Sequence, residues 1–143
     1  MIKCITALET YTVRHPILRK GRPLSSCAFN GDDLDSTFHL GYYKKEQLVG
    51  VSSFYHQDHT AYGFTNAIQL RGMAVLENHH GSGYGKQLLL HGEKLSKEKN
   101  KSTVWMNARE IAVNFYKKLG YTTIGTVFEI PLVGKHYVMF KKI

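Results

Sequence analysis

The seven residues His80-Gly81-Ser82-Gly83-Tyr84-Gly85-Lys86 have the types and spacing of an anion cradle. Three glycines at alternate positions let the backbone turn tightly and approach a ligand with no Cβ in the way. The N–H groups of such a turn, with the unpaired N–H groups that open a following helix, can surround phosphate oxygens. Lys86 adds a positive charge in the first helical turn. The chemistry is the holding of a phosphorylated cofactor through its pyrophosphate. The competing reading is a glycine-rich surface turn without a ligand.

Spacing removes two familiar phosphate sites. A dinucleotide fingerprint starting at Gly81 needs a glycine where Lys86 stands. A P-loop ending at Gly85-Lys86 needs glycine in place of His80 and Ser or Thr in place of Gln87. A nicotinamide enzyme and an NTPase are both disfavoured.

The elements that must position the turn follow from periodicity. Residues 2–8 read as a first strand. Residues 9–20 are mixed, and Pro16 is expected to end or bend any helix there. Residues 21–36 read as a loop. A hairpin follows, with arms at residues 37–43 and 48–55 rich in β-branched and aromatic side chains. Residues 67–76 form the strand before the glycine turn. The helix after it runs from Tyr84 to about Lys99, with Leu88, Leu89, Gly92 and Leu95 on one apolar stripe and Asn100 as its cap. Residues 103–106 form a short strand. Residues 108–119 read as a second helix, with Ile111, Ala112, Phe115 and Leu119 on one face and Gly120 as its stop. Residues 121–130 and 136–141 are the last strands.

One helix between strands 67–76 and 103–107 makes that pair parallel by the crossover rule. The hairpins make the rest antiparallel. The fold class is α/β: a mixed, mostly antiparallel sheet of about six or seven strands with helices packed on it.

A chain of 143 residues fits one domain, residues 1–143, and can bury a core without disulfides or a metal. Its 43% hydrophobic and 21% charged residues are ordinary for a globular protein. No apolar run approaches a membrane span, and the N-terminus lacks the order of a signal peptide, so the cytoplasm is expected. Cys4 and Cys27 are too few for a disulfide scaffold and read as buried free thiols. The net charge of +8 comes from dispersed lysines, with no nucleic-acid-binding stripe, and an anionic cofactor accounts for part of it. His56 with His59, and His79 with His80, do not make a ligand set with metal spacing, so no metal is expected.

Two blocks identify a family resemblance. The run Arg71-Gly72-Met73-Ala74-Val75, then His80-Gly81-Ser82-Gly83-Tyr84-Gly85, resembles the coenzyme A signature of the GNAT superfamily of acyl-CoA-dependent N-acetyltransferases. That signature is Arg or Gln, two residues, Gly, one residue, then Gly or Ala. Gly83 and Gly85 match it, and His80 stands where Arg or Gln is usual. The block from Asn107 to Tyr121, which contains Phe115-Tyr116 and Gly120-Tyr121, resembles the family's later helix.

The resemblance implies a central parallel pair that splays, with helices on both sheet faces. Acetyl-CoA is the implied donor and an amine, small molecule or peptide, the implied acceptor. Met73, Ala74 and Val75 would hold the pantetheine arm through their backbone. His80, Gly81, Ser82, Gly83, Tyr84, Gly85 and Lys86 would hold the pyrophosphate. Asn107 would bond the arm, and Asn114 and Phe115 would border the pantetheine or adenine region. Tyr116 is the implied catalytic acid: a phenol with a reference pKa of about 10 stays protonated at neutral pH and can donate to the departing sulfur.

The attacking amine must first shed a proton. The glutamate base common in the family falls at Gln69, which cannot serve. His39, His56, Glu110, His136 and a water relay stay open as alternatives. Asp32, Asp33 and Asp35 could attract a cationic amine or form a solvated acidic loop. Two functional readings follow: a direct acetyltransferase, or a coenzyme-binding module of the same fold without turnover. Dimers are frequent among the proteins it resembles, which leaves a homodimer open.

Overall fold

The computed structural model describes residues 1–143. The elements are β1 (Ile2–Ile5), α1 (Ala7–Leu18), β2 (Phe38–Lys44), β3 (Gln47–His56), β4 (Ala67–Val75), α2 (Tyr84–Glu98), β5 (Thr103–Arg109), α3 (Val113–Lys118), β6 (Thr122–Ile130) and β7 (Gly134–Lys142). The seven strands form one sheet in the order β1-β2-β3-β4-β5-β7-β6. Every neighbouring pair is antiparallel except β4 and β5. No helix is long and apolar enough to cross a membrane.

The first strand is shorter than its apolar pattern suggests. Thr6 ends it by capping α1: its hydroxyl accepts from the Glu9 N–H at 3.2 Å, and the Glu9 carboxylate accepts from the Thr6 N–H at 2.9 Å. Pro16 does not break α1. It lies in the last turn, where the missing N–H costs one bond, and Arg19 N–H still reaches the His15 carbonyl at 3.1 Å. The segment reads as mixed because α1 buries Arg14 beside Val13, which interrupts the apolar period.

α2 forms as its stripe predicts, burying Leu88, Leu89 and Gly92. Gly92 admits the ring of Phe54 from β3, since a Cβ there would stand 1.9 Å from Phe54 Cζ. Asn100 closes the helix in the left-handed region at φ +63°.

The expected helix at residues 108–119 is largely absent. β5 continues through Arg109, a 3-10 turn follows at Glu110–Ala112, and α3 is only six residues long. Ile111 is 90% exposed, not part of an inward stripe, and Tyr116 is the buried residue of α3. Cys4 is exposed, against expectation, while Cys27 is buried.

Helices cover both faces of the sheet. On one face α1 sets Val13 against Val51 and Ala74. On the other, Leu88, Leu89 and Tyr116 join Leu40, Phe54, Ile68 and Met106 in the main core. β4 and β5 register only at Ala67↔Thr103, Ile68↔Val104 and Gln69↔Trp105, and then part.

Candidate functional site

The parted strands open a cleft of about 930 Å³. Met73, Ala74 and Val75 of β4 line one wall, Asn107 of β5 the other, and Phe115 and Tyr116 of α3 line the cleft as well. β4 keeps its bonds to β3 here, through Val51↔Ala74 and Gly50↔Val75, so its free edge faces the gap. Such an edge can pair with an extended ligand carrying amide groups.

The glycine turn lines the same cleft, with Gly85 beside the Phe115 ring. Gly81 at φ +79° and Gly83 at φ +81° lie in the left-handed region, so glycine is needed for conformation. The first α2 backbone bond runs from the Gln87 N–H to the Gly83 carbonyl at 3.1 Å. The Tyr84, Gly85 and Lys86 N–H groups therefore have no helical acceptor and remain available to an anion. A Cβ on Gly85 would lie 3.4 Å from Phe115 Cζ, which keeps the cradle floor open.

Two side chains of the turn face elsewhere. His80 Nε2 lies 2.6 Å from the Val75 carbonyl, so this ring ties the turn to β4. The Tyr84 ring stacks on Tyr42 with centroids 4.1 Å apart. Ser82 and Asn114 are exposed and do not line the cleft, whereas Lys86 does.

Tyr116 and Phe115 exchange the positions their period suggests. Phe115 is 36% exposed, and Tyr116 is 7% exposed among core side chains yet lines the cleft. Their rings meet edge-on at 5.0 Å. The Tyr116 hydroxyl is not among the sealed, unpartnered polar atoms of the core. Burial pushes its pKa up to about 12, against a smaller opposing pull from Arg109. The end of α3 is pinned: Tyr121 N–H donates to the Tyr116 carbonyl at 3.1 Å, and Tyr121 Oη donates to Glu93 at 2.7 Å. Lys141 Nζ joins Glu93 at 2.9 Å and the Leu119 carbonyl at 3.0 Å.

Of the side chains considered as bases, only His136 reaches the cleft. His39 is committed at both nitrogens, to Ser53 Oγ at 2.6 Å and the Asp32 carbonyl at 2.9 Å. His56 and Glu110 are exposed outside the lining. His136 is 3% exposed, with Nδ1 2.7 Å from the Gly134 carbonyl. A carbonyl only accepts, so the neutral ring carries its proton on Nδ1 and leaves the Nε2 lone pair free. Gln69 also lines the cleft. His56 and His59 gather no third metal-type ligand.

The aspartate loop is neither solvated nor turned to the cleft at Asp32. This carboxylate is buried against Arg14, accepting from Nη1 at 2.7 Å and Nη2 at 3.1 Å, and also from Tyr55 Oη and the Phe29 N–H. Burial pushes its pKa up, but these hydrogen bonds and the Arg14 charge outweigh it and hold the carboxyl below the usual range. Asp33 and Asp35 are exposed and outside the lining. No carboxylate lines the cleft; Arg19, Arg71 and Arg109 do, beside Phe29. These arginines come from α1's end, β4 and β5, and their scatter along the chain hides them from motif reading.

Residues 7–121 match the acetyltransferase (GNAT) family. The uncharacterized N-acetyltransferase YitI of Bacillus subtilis (strain 168) is 36% identical over 140 residues, covering 98% of this chain and 94% of the relative. The ribosomal-protein-S18-alanine N-acetyltransferase of Escherichia coli superposes with a TM-score of 0.79 at 15% identity, covering 100% of this chain and 93% of that one. An aminoglycoside 6'-N-acetyltransferase complexed with coenzyme A superposes with a TM-score of 0.78 at 16% identity, covering 99% and 96%. At these identities the two structures speak to the fold alone.

Proposed function

The chain belongs to the GNAT acetyltransferase family, and on that premise we propose that it transfers the acetyl group of acetyl-CoA directly to a primary amine. The observation that carries the reading is Tyr116: a phenol kept protonated by burial, lining the same cleft as a glycine cradle. Its residues fit the donor. The open N–H groups of Tyr84, Gly85 and Lys86 suit the pyrophosphate, and the free edge of β4 at Met73–Val75 suits the amide-bearing arm.

When bound, acetyl-CoA supplies a thioester carbonyl that accepts the amine and a sulfur that leaves with the C–S electron pair. Tyr116 gives its hydroxyl proton to that sulfur. His136 takes the proton that the attacking amine sheds, on the lone pair of Nε2. Tyr116, buried among core side chains, helps to exclude water at the reacting end. His136 releases its proton to solvent and the Tyr116 phenolate takes one back, so one amide and one thiol form from one amine and one thioester.

The test is acetyl-CoA-dependent thiol release across a panel of amines, with Tyr116→Phe as control. Turnover lost in the variant while coenzyme A still binds supports the reading. Tight coenzyme A binding by the native protein, with no turnover on any amine, favours the binding module instead. Failure to bind coenzyme A overturns both.

A further inference from the structure

The acceptor end of the cleft is cationic. Arg71 stands over the rings of Phe29 and Tyr55, at 5.2 and 5.0 Å, and donates to the Asn30 carbonyl at 3.2 Å. Arg19 lies 4.9 Å from the Phe29 ring centroid and donates only to carbonyls, of Ser26 at 3.2 Å and Leu18 at 3.0 Å. Arg109 ends β5 and also borders the smaller adjoining pocket with Lys20 and Arg22. The protein's two ion pairs are Arg14–Asp32 and Lys141–Glu93. Arg19, Arg71 and Arg109 therefore have no carboxylate partner, and no carboxylate lines the cleft. The Arg19 guanidinium is held below its usual pKa by burial first and then by Arg22, with Arg109 and Arg14 adding to the shift.

These charges are separate from the cradle. Side chains alternate across a strand. Arg71 meets Tyr55, which bonds Asp32 and Arg14 on the α1 face. Arg109 shares the parity of Trp105, whereas Met106 and Ala108 belong to the core under α2 and α3. The glycine turn opens α2 on the opposite face. Unpaired guanidinium groups at a partly enclosed, apolar-walled site match a planar oxyanion. They repel the cationic acceptor that an aspartate loop turned to the cleft would have attracted.

We infer that the acceptor is an amine that also carries an oxyanion, a carboxylate or a phosphate, seated by Arg71 and Arg109 with Arg19 at the rim. The inference rests on the acetyl-transfer reading and narrows its substrate class. Phe29, Ile17 and Val133 wall the same end, so the body of the molecule is apolar. Local positive charge also disfavours the ammonium form of the amine, which eases loss of its proton.

Matched pairs test it: free L-amino acids against their methyl esters, and O-phosphoethanolamine against ethanolamine. The first pair probes a carboxylate and the second a phosphate. The charged member of one pair should be preferred at least tenfold in kcat/KM. Arg71→Gln and Arg109→Gln should each raise the acceptor KM about tenfold while leaving the KM for acetyl-CoA unchanged, and Arg71→Lys should recover part of the loss. Equilibrium binding of the same compounds to the protein–coenzyme A complex gives a readout independent of turnover. Preference for esters, ethanolamine or a polyamine overturns the inference and leaves acetyl transfer standing. Neither turnover nor binding of any charged member also overturns it. Binding of a charged member without turnover supports the oxyanion site and overturns acetyl transfer.

Discussion

Asp32 accepts two hydrogen bonds from the Arg14 guanidinium, at 2.7 and 3.1 Å, with both side chains almost fully buried. Asp32→Asn leaves Arg14 charged and unpaired in the interior, which should cost roughly 3–5 kcal/mol in urea unfolding. The pH dependence has a definite sign. The folded carboxyl titrates below its ordinary value of 3.8, so between the two values the unfolded chain holds more protons. The stabilisation is full above about pH 4 and is lost as pH falls through the folded value. Native protein should lose stability over that acid window, and the Asn variant should lack this component.

Tyr116→Phe should lower kcat by roughly 10²–10⁴-fold, the usual contribution of a positioned acid. The melting temperature should hardly move, because the hydroxyl has no hydrogen-bond partner inside the protein. With the phenol raised to about 12, no alkaline loss from this group should appear in kcat below that region. An alkaline limb with its midpoint near 10, absent from the Phe variant, would show the phenol titrating as it does in water.

His136→Gln keeps a side chain that can hydrogen-bond the Gly134 carbonyl but removes the proton acceptor. A fall in kcat/KM of about 10²-fold is expected. Single-turnover rates check it: acetyl transfer should slow in the Gln variant while coenzyme A binding is unchanged.

Gly83→Ala places a Cβ on a residue at φ +81°, a strain of about 1–2 kcal/mol. Nothing stands within 4 Å to clash, so the effect should come through the turn's shape. The KM for acetyl-CoA should rise several-fold while that for the amine stays put, as measured by varying each substrate in turn.

Gly92→Ala should destabilise without touching the cleft directly. Its Cβ would fall 1.9 Å from Phe54 Cζ, and Phe54 is fully buried. Overpacking of this kind costs typically 1–3 kcal/mol, readable as a lowered urea midpoint with an unchanged slope.

Local chemistry was legible in the chain and distant pairing was not. The α2 stripe, the stop at Gly120 and the glycine turn each depend on neighbours in sequence, and each stands where its pattern puts it. Arg14 and Asp32 lie eighteen residues apart, and neither residue type announces a buried partner. The helix expected at residues 108–119 failed for another reason. Met106 and Ala108 alternate with Trp105 and Asn107 as a strand does, past the expected boundary, and pairing with β7 along Thr103–Arg109 fixes the strand. That extension rotates α3 and turns Tyr116, not Phe115, into the core.

The sheet is two leaves joined by a narrow seam. β1 to β4 hold together by long antiparallel ladders, as do β5 to β7, but the backbone ladder between the leaves registers at only three residue pairs. A donor bound along Met73–Val75 as proposed would therefore splice the leaves as well as deliver an acyl group. Amide exchange at the gap should slow sharply when coenzyme A is added, and the protein's resistance to proteolysis should rise and fall with its supply. The turnover cycle would then alternate between a sheet parted at its centre and a sutured one.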